Sequence, residues 1–319
     1  MSKNKWYVAL LISLILMVIF YVSNGMLNVG KREEYYSVAV ILDNSGSDRW
    51  NAFKEGLEQA VADKNIYLNV VSTGKFLSLE EECSIISREL ENGADGMIVG
   101  LCADDKSGLL DEAVSSNPVV LVGNSMESET LYTTVAPDQY RLGKAIGEAV
   151  LAGESRDLAE RKIGILSGNQ EKMGLRQRLE GVQEVLSEAG VEPEWIISRK
   201  EAASLRQCYA GRPVDILITL DNDETELAVD FLLEQEEYSC RIYGEGRSEQ
   251  AVYYLDKGMI QTLIVSNEFY MGYQSVEFLA QKLNYFTSVV EHGEVDFLTV
   301  TGDNLYDEEV EKILFPTVR

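Results

Sequence analysis

The chain has 319 residues, 45% of them hydrophobic, which is enough for two compact lobes or one large α/β domain. Against 53 Asp and Glu stand 28 Lys and Arg, a formal charge of −25, and a surface that acidic repels phosphate backbones and argues against a nucleic-acid partner. One histidine, His292, and the dispersed cysteines Cys83, Cys102, Cys208 and Cys240, with no CxxC pair, exclude the clustered ligands of a zinc site. The cysteines fit disulfides or free thiols, and read best as small buried apolar residues.

Met1 to Lys5 carries two lysines, and Trp6 to Val22 is then apolar and uncharged, broken only by Ser13 and bounded by Trp6-Tyr7 and Phe20-Tyr21. This predicts one transmembrane helix at 6–22, a cytoplasmic terminus at 1–5, a polar linker at 23–36, and an extracytoplasmic domain at 37–319 in the cell membrane. A cleaved signal peptide is the alternative, although the span exceeds a usual signal core and no A-x-A site follows.

Ser37 to Val61, SVAVILDNSGSDRWNAFKEGLEQAV, sets the pattern for the rest. Val38 to Leu42 reads as a buried strand, Asp43 to Asp48 as a polar turn, and Trp50, Phe53, Leu57 and Val61 recur at helical spacing. Strands follow at 66–71, 95–99, 119–122 and 131–135. Between them lie a helix at 78–91, opened by the capping-box pair Ser78 and Glu81, and another near 109–114. After Pro137 the alternation restarts. Gln139 to Leu151 is a helix with Gly143, Ala145, Gly147 and Ala149 on one side, suited to close packing. Strands at 162–166, 195–198, 214–220, 241–243, 262–265 and 295–300 alternate with helices at 173–189, 203–209, 224–233, 249–256 and 270–286, and a short helix near 308–313 ends the chain. Strict alternation, twice over, predicts an α/β fold of two doubly wound parallel-sheet lobes.

No G-x-S-x-G, phosphate loop or dinucleotide fingerprint is present, and a single histidine leaves little for His-based acid–base chemistry. The polar residues instead gather at strand exits, where open α/β sheets bind ligands. They are Asn44, Ser47, Arg49 and Trp50 after the first strand, Cys102 to Asp105 after the third and Asn124-Ser125 after the fourth. The second half supplies Asn169, Asn222 between Asp221 and Asp223, Glu245 and Arg247, and Ser266-Asn267-Glu268 at a candidate crossover, while Arg178 lies on a helix. Such a set beside an aromatic face suits a neutral polyhydroxylated ligand, with no metal or cofactor. Trp50 fits the core equally well, and Asp48 and Asp223 read more simply as helix caps.

The order of NGADGMIVG, NPVVLVGNS, VAPDQYRLGKAIGEAVL, IGILSGN, RQRLEGVQEVLSEAG, DILITLDNDETELAV, IYGEG and VSNEFYMGYQSVEFL resembles the type I periplasmic binding proteins of the ribose- and galactose-binding group, whose core is shared with lac-repressor-type regulators. The resemblance implies a non-enzymatic solute receptor. Its lobes, about 37–136 plus 268–299 and about 138–266 plus 301–319, would be joined by a three-strand hinge crossing near 136–138, 266–267 and Thr301. It implies Trp50 as the sugar-stacking aromatic, Arg49 in place of a second aromatic, Ser47 in place of an Asn, Arg178 and Asn222 as ligand contacts, and a sugar-like ligand passed to an ABC transporter permease or a sensor histidine kinase. Departures fall at Asn124-Ser125, where the family has Asp-Arg, at Gly244-Glu245-Gly246, where it has Gly-x-Asp, and at Ser266, where it has Gln.

Overall fold

The computed structural model describes residues 6, 13–18, 35–62, 64–124, 126, 130–154, 158–198, 202–235, 240–285 and 289–316. Residues 1–36 and 37–319 are separate units. Of the expected anchor only residues 6 and 13–18 are described, helical and exposed, and the rest of that span lies outside the described residues. No helix among the described residues is long and apolar enough to cross a membrane.

The first half runs β1 (Tyr36–Leu42), a 3-10 turn (Asp48–Trp50), α1 (Asn51–Val61), β2 (Ile66–Val70), α2 (Leu79–Glu91), β3 (Gly96–Gly100), α3 (Leu109–Val114), β4 (Val119–Val122) and β5 (Thr133–Ala136). The second half has α4 (Gln139–Gly153), β6 (Ile163–Leu166), α5 (Met173–Glu188), β7 (Trp195–Ile197), α6 (Ala202–Gly211), β8 (Ile216–Thr219) and α7 (Asn222–Leu233). It continues with β9 (Arg241–Glu245), α8 (Glu249–Asp256), β10 (Ile260–Ser266), α9 (Glu268–Tyr285), β11 (His292–Glu294), β12 (Phe297–Thr301) and α10 (Glu308–Leu314). The helix starts follow local chemistry. Ser78 Oγ accepts from Glu81 N at 3.3 Å, while Glu81 reaches back to Leu77 N at 2.9 Å rather than to Ser78 itself.

Two six-stranded sheets result, ordered β11-β5-β4-β3-β1-β2 and β12-β10-β9-β8-β6-β7. Strands β3, β4, β6 and β8 are buried along their whole length, as strands covered on both faces by helices must be. One pairing departs from the expected parallel sheets. β12 runs antiparallel to β10, with Val265 opposite Leu298, while β11 lies parallel to β5 in the other sheet. The strand read from sequence at 295–300 is β12 at Phe297–Thr301, the separate strand β11 just before it was not expected, and the third crossing falls between the two at residues 295–296 rather than near Thr301. The lobes are corrected to 37–136 plus 268–294 and 138–266 plus 297–316. Hydrogen bonds between the crossings fix this place: Val295 N donates to Ala136 O at 3.1 Å and Asn267 N to Asp296 O at 2.9 Å. The hinge is one bonded unit.

Each lobe carries a pair of helices packed through glycines. A β-carbon at Gly56 of α1 would overlap the Phe269 carbonyl oxygen on α9, and one at Gly272 would overlap that of Phe53. In the second lobe Gly143 of α4 stands against the Arg178 carbonyl of α5, and Gly181 of α5 against that of Tyr140. The small face expected on α4 holds at Gly143 and Gly147, whereas Ala145 and Ala149 pack toward the core. Gly143→Val should push α5 away, carry Arg178 with it, and lower stability by about 1–3 kcal/mol in urea unfolding. Wild-type stability in that variant would show that the helices separate at no cost.

Candidate functional site

In each sheet the strand order reverses once, between β1 and β3 and between β6 and β8. The loops leaving those strands diverge and open a crevice at the carboxyl edge. A pocket partly open to solvent lies between the lobes, lined by Asp43, Asn44, Ser47, Arg49, Trp50, Gly100, Leu101 and Val122 from the first and by Lys172 and Asp223 from the second.

The lobes touch on both sides of this pocket. Asp48 Oδ2 accepts from Glu249 N at 2.9 Å, and Lys75 Nζ pairs with Asp223 at 3.1 Å. Elsewhere Asp104 Oδ1 accepts from Met173 N at 3.0 Å, its other oxygen pairs with Arg176 at 2.7 Å, and Asn169 Nδ2 donates to Cys102 O at 3.1 Å. Asp48 does cap a helix, but it is α8 of the opposite lobe, and Asp104 does the same for α5.

Trp50 is 6% exposed, its indole N–H donates to Asp43 O at 3.1 Å, and its ring meets Phe53 edge-on at 5.6 Å. The Arg49 guanidinium carbon lies 4.2 Å from the Trp50 ring centre. A cation over an indole face is favourable, and here it covers that face, so a ligand meets arginine where a bare platform was expected. Arg49 also pairs with Glu268 at 3.4 Å. Burial works against its charge, and Glu268, Glu245, Asp221 and Asp223 outweigh burial, holding its proton above the usual arginine range.

From the second lobe, Arg247 approaches Glu268 at 3.7 Å and donates to the carbonyls of Ile313 and Leu314 at 3.3 and 3.1 Å. Arg178 donates to Gln139 Oε1 at 2.5 Å and Leu220 O at 2.6 Å, and pairs with Glu245 at 3.5 Å. Burial raises the Glu245 carboxyl, and Arg178 and Arg49 offset this only in part. Asn222 accepts from the amides of Arg247 and Ser248 at 3.0 and 2.9 Å and donates to Glu226, so it organises the turn beyond β9 instead of facing a ligand. Asn267 accepts from Tyr270 N as the cap of α9. Ser266 is buried with an unpaired hydroxyl. Asn124 rests against Gly174 across the lobes, while Ser125 lies outside the described residues.

The structure thus brings Asn44, Ser47, Arg49 and Trp50 to the pocket, sets Arg49 and Arg247 on Glu268, and sets Arg178 on Glu245. Asp104 and Glu268, which belong to the strand-exit set read from sequence, carry much of this geometry, whereas Lys172 was not singled out from sequence. The signal for Lys172 was positional: the loop after β6 is the second-lobe counterpart of the loop after β1. No cluster of His, Cys, Asp and Glu among the described residues is arranged to hold a metal, and His292 Nδ1 is bonded to Thr134 Oγ1 at 2.7 Å. All four cysteines are free thiols, and Cys83, Cys102 and Cys240 are buried.

Residues 38–285 match the family model described as the periplasmic binding protein domain, and the chain belongs to that family. A carbohydrate transporter solute binding protein from Agrobacterium radiobacter, in complex with D-arabinose, superposes with a TM-score of 0.79 at 15% identity, covering 88% of this chain and 99% of that one. A glucose-galactose binding protein from Geobacillus stearothermophilus gives 0.75 at 18% identity, covering 86% and 99%. Among curated proteins, the ribose operon repressor of Haemophilus influenzae is 25% identical over 171 residues, 52% of this chain and 48% of the repressor. The transcriptional repressor PurR of Photobacterium profundum is 30% identical over 135 residues, 40% and 39% of the two chains. The chain thus spans about half or less of the curated relatives it matches. The family and its structural neighbours are solute-binding proteins rather than enzymes.

Proposed function

We propose that this chain is an extracytoplasmic receptor that captures a small polyhydroxylated solute, a sugar or sugar derivative, between its lobes. The carrying observation is the pocket at the two strand-order reversals, walled by both lobes and braced by contacts between them. Trp6 to Val22 would tether it as an uncleaved helix, and the occupied form would be read by an ABC importer permease or a membrane sensor kinase. An uncleaved helix leans toward the sensor, which needs a fixed receptor rather than a diffusing shuttle.

The test is thermal shift of the purified full chain against pentoses, hexoses, polyols, sugar acids, amino acids and nucleosides. At a hundredfold excess over Kd a ligand specific to the folded state adds about 2.7 kcal/mol, a shift that is readily measured. Stabilisation by amino acids or nucleosides and by no carbohydrate would overturn the sugar reading.

A further inference from the structure

We infer that the solute is a monosaccharide-sized compound bearing an anionic group, and that Lys172 and Arg49 receive that group. This rests on the receptor reading and concerns which polar groups of the pocket are left to meet a ligand.

Hydroxyl groups both donate and accept, so a neutral sugar needs acceptors in its site, whereas a carboxylate or phosphate needs donors alone. Of the acceptors in this cleft, the pocket carboxylates are partly committed, while Glu268 Oε2 and the Ser266 hydroxyl, which do not line the pocket, have no hydrogen-bond partner. One oxygen of Asp43 accepts from Phe76 N at 2.8 Å, and Asp223 is paired with Lys75 at 3.1 Å. Asn222 Oδ1 takes two backbone amides, and Glu245 faces Arg178. The donors are not committed. The Lys172 ammonium lines the pocket and makes no side-chain hydrogen bond or ion pair among the described residues, although its charge is felt by buried Glu82. Arg49 Nε is buried with no hydrogen-bond partner, whereas Arg247 Nη1 faces Glu268 Oε2 at 3.7 Å. A buried N–H left unpaired costs free energy unless something arrives to accept it.

The two pocket cations also come from opposite lobes. Arg49 follows β1 and Lys172 follows β6, so one anionic group reaching both would join the lobes. Arg49 is held over the Trp50 ring at 4.2 Å, which restricts where its guanidinium can reach. Ser47 and Asn44 on the same wall remain to meet hydroxyls. The net charge of −25 opposes an anion at long range, so selection must come from these contacts, because distant charges are screened in salt and close ones much less.

The experiment is calorimetric titration of the full chain with matched probes: D-galactose against D-galacturonate, and D-glucose against D-glucuronate and glucose 6-phosphate. At least one anionic member should bind ten times or more tightly than its neutral partner, and the carboxylate and phosphate arms identify the group. Lys172→Gln should weaken that anion at least tenfold, with Lys172→Arg restoring most of the affinity. Neutral sugars binding as well as their acids, with Lys172→Gln without effect, would overturn the anionic assignment and leave the receptor reading standing. Binding of no probe, together with stabilisation by an unrelated metabolite in the thermal screen, would overturn both.

Discussion

Glu268→Ala is expected to destabilise the domain by about 3–5 kcal/mol, the cost of leaving buried charge without its counter-ion. Glu268 is 3% exposed and stands between Arg49 of its own lobe, at 3.4 Å, and Arg247 of the other, at 3.7 Å. Arg247 keeps its bonds to the Ile313 and Leu314 carbonyls, so its position survives the change while its charge is uncompensated. Two guanidinium groups would then face each other across the cleft. The lobes can relieve this by parting, which lets water reach both cations. The loss should therefore appear in urea unfolding and also as a larger radius of gyration in solution scattering. Glu268→Gln, with the same shape and no charge, should reproduce most of the effect. A variant as stable and as compact as the parent would show that the cluster is already solvated.

Glu82→Gln is expected to act in the opposite direction, and only at the higher end of the pH range. Glu82 is fully buried at the start of α2 and accepts from Cys102 N at 2.8 Å. Burial lifts its carboxyl from the ordinary 4.5 to about 7; the Cys102 hydrogen bonds and Lys172 pull it down, and Asp43 adds to the rise. A carboxyl whose folded value lies above its unfolded one holds its proton better in the folded state. Its contribution to stability is therefore complete below pH 4.5, falls as pH rises from there to about 7, and is lost above. The displacement corresponds to about 3 kcal/mol. Glutamine keeps the acceptor for Cys102 and has no proton to lose. The variant should match the parent near pH 4 and exceed it by up to about 3 kcal/mol at pH 8, read as the pH dependence of urea unfolding. Parallel stability curves for the two proteins would mean that Glu82 does not titrate in this range.

Much of the architecture was legible in the sequence because it is written locally. The β-branched runs at Val38–Leu42 and Val119–Val122 have the length and composition of buried parallel strands, and Ser78 with Glu81 announces the start of α2 in four residues. Gly143 and Gly147 foretold a close helix contact by spacing alone. The last crossing was not legible. His292–Glu294 and Phe297–Thr301 are distinguished as two strands by partners at residues 134–136 and 262–266, and nothing in the local pattern divides them. The site was legible in place but not in pairing. The loop after β1 could be assigned to a cleft from its strand, yet that Arg49 would lie on Trp50 and face Glu268 depends on a residue 219 positions away. Lys172 looked like an ordinary lysine before a helix, because its neighbours in the pocket come from the other lobe.

The contacts of Asp48 and Asp104 carry a consequence for timing. Each is an acceptor lent by the first lobe to the first amides of a helix in the second, at Glu249 and at Met173. When the cleft parts, both helix starts lose a partner together, so opening is a small act of unfolding as well as a rotation about the hinge.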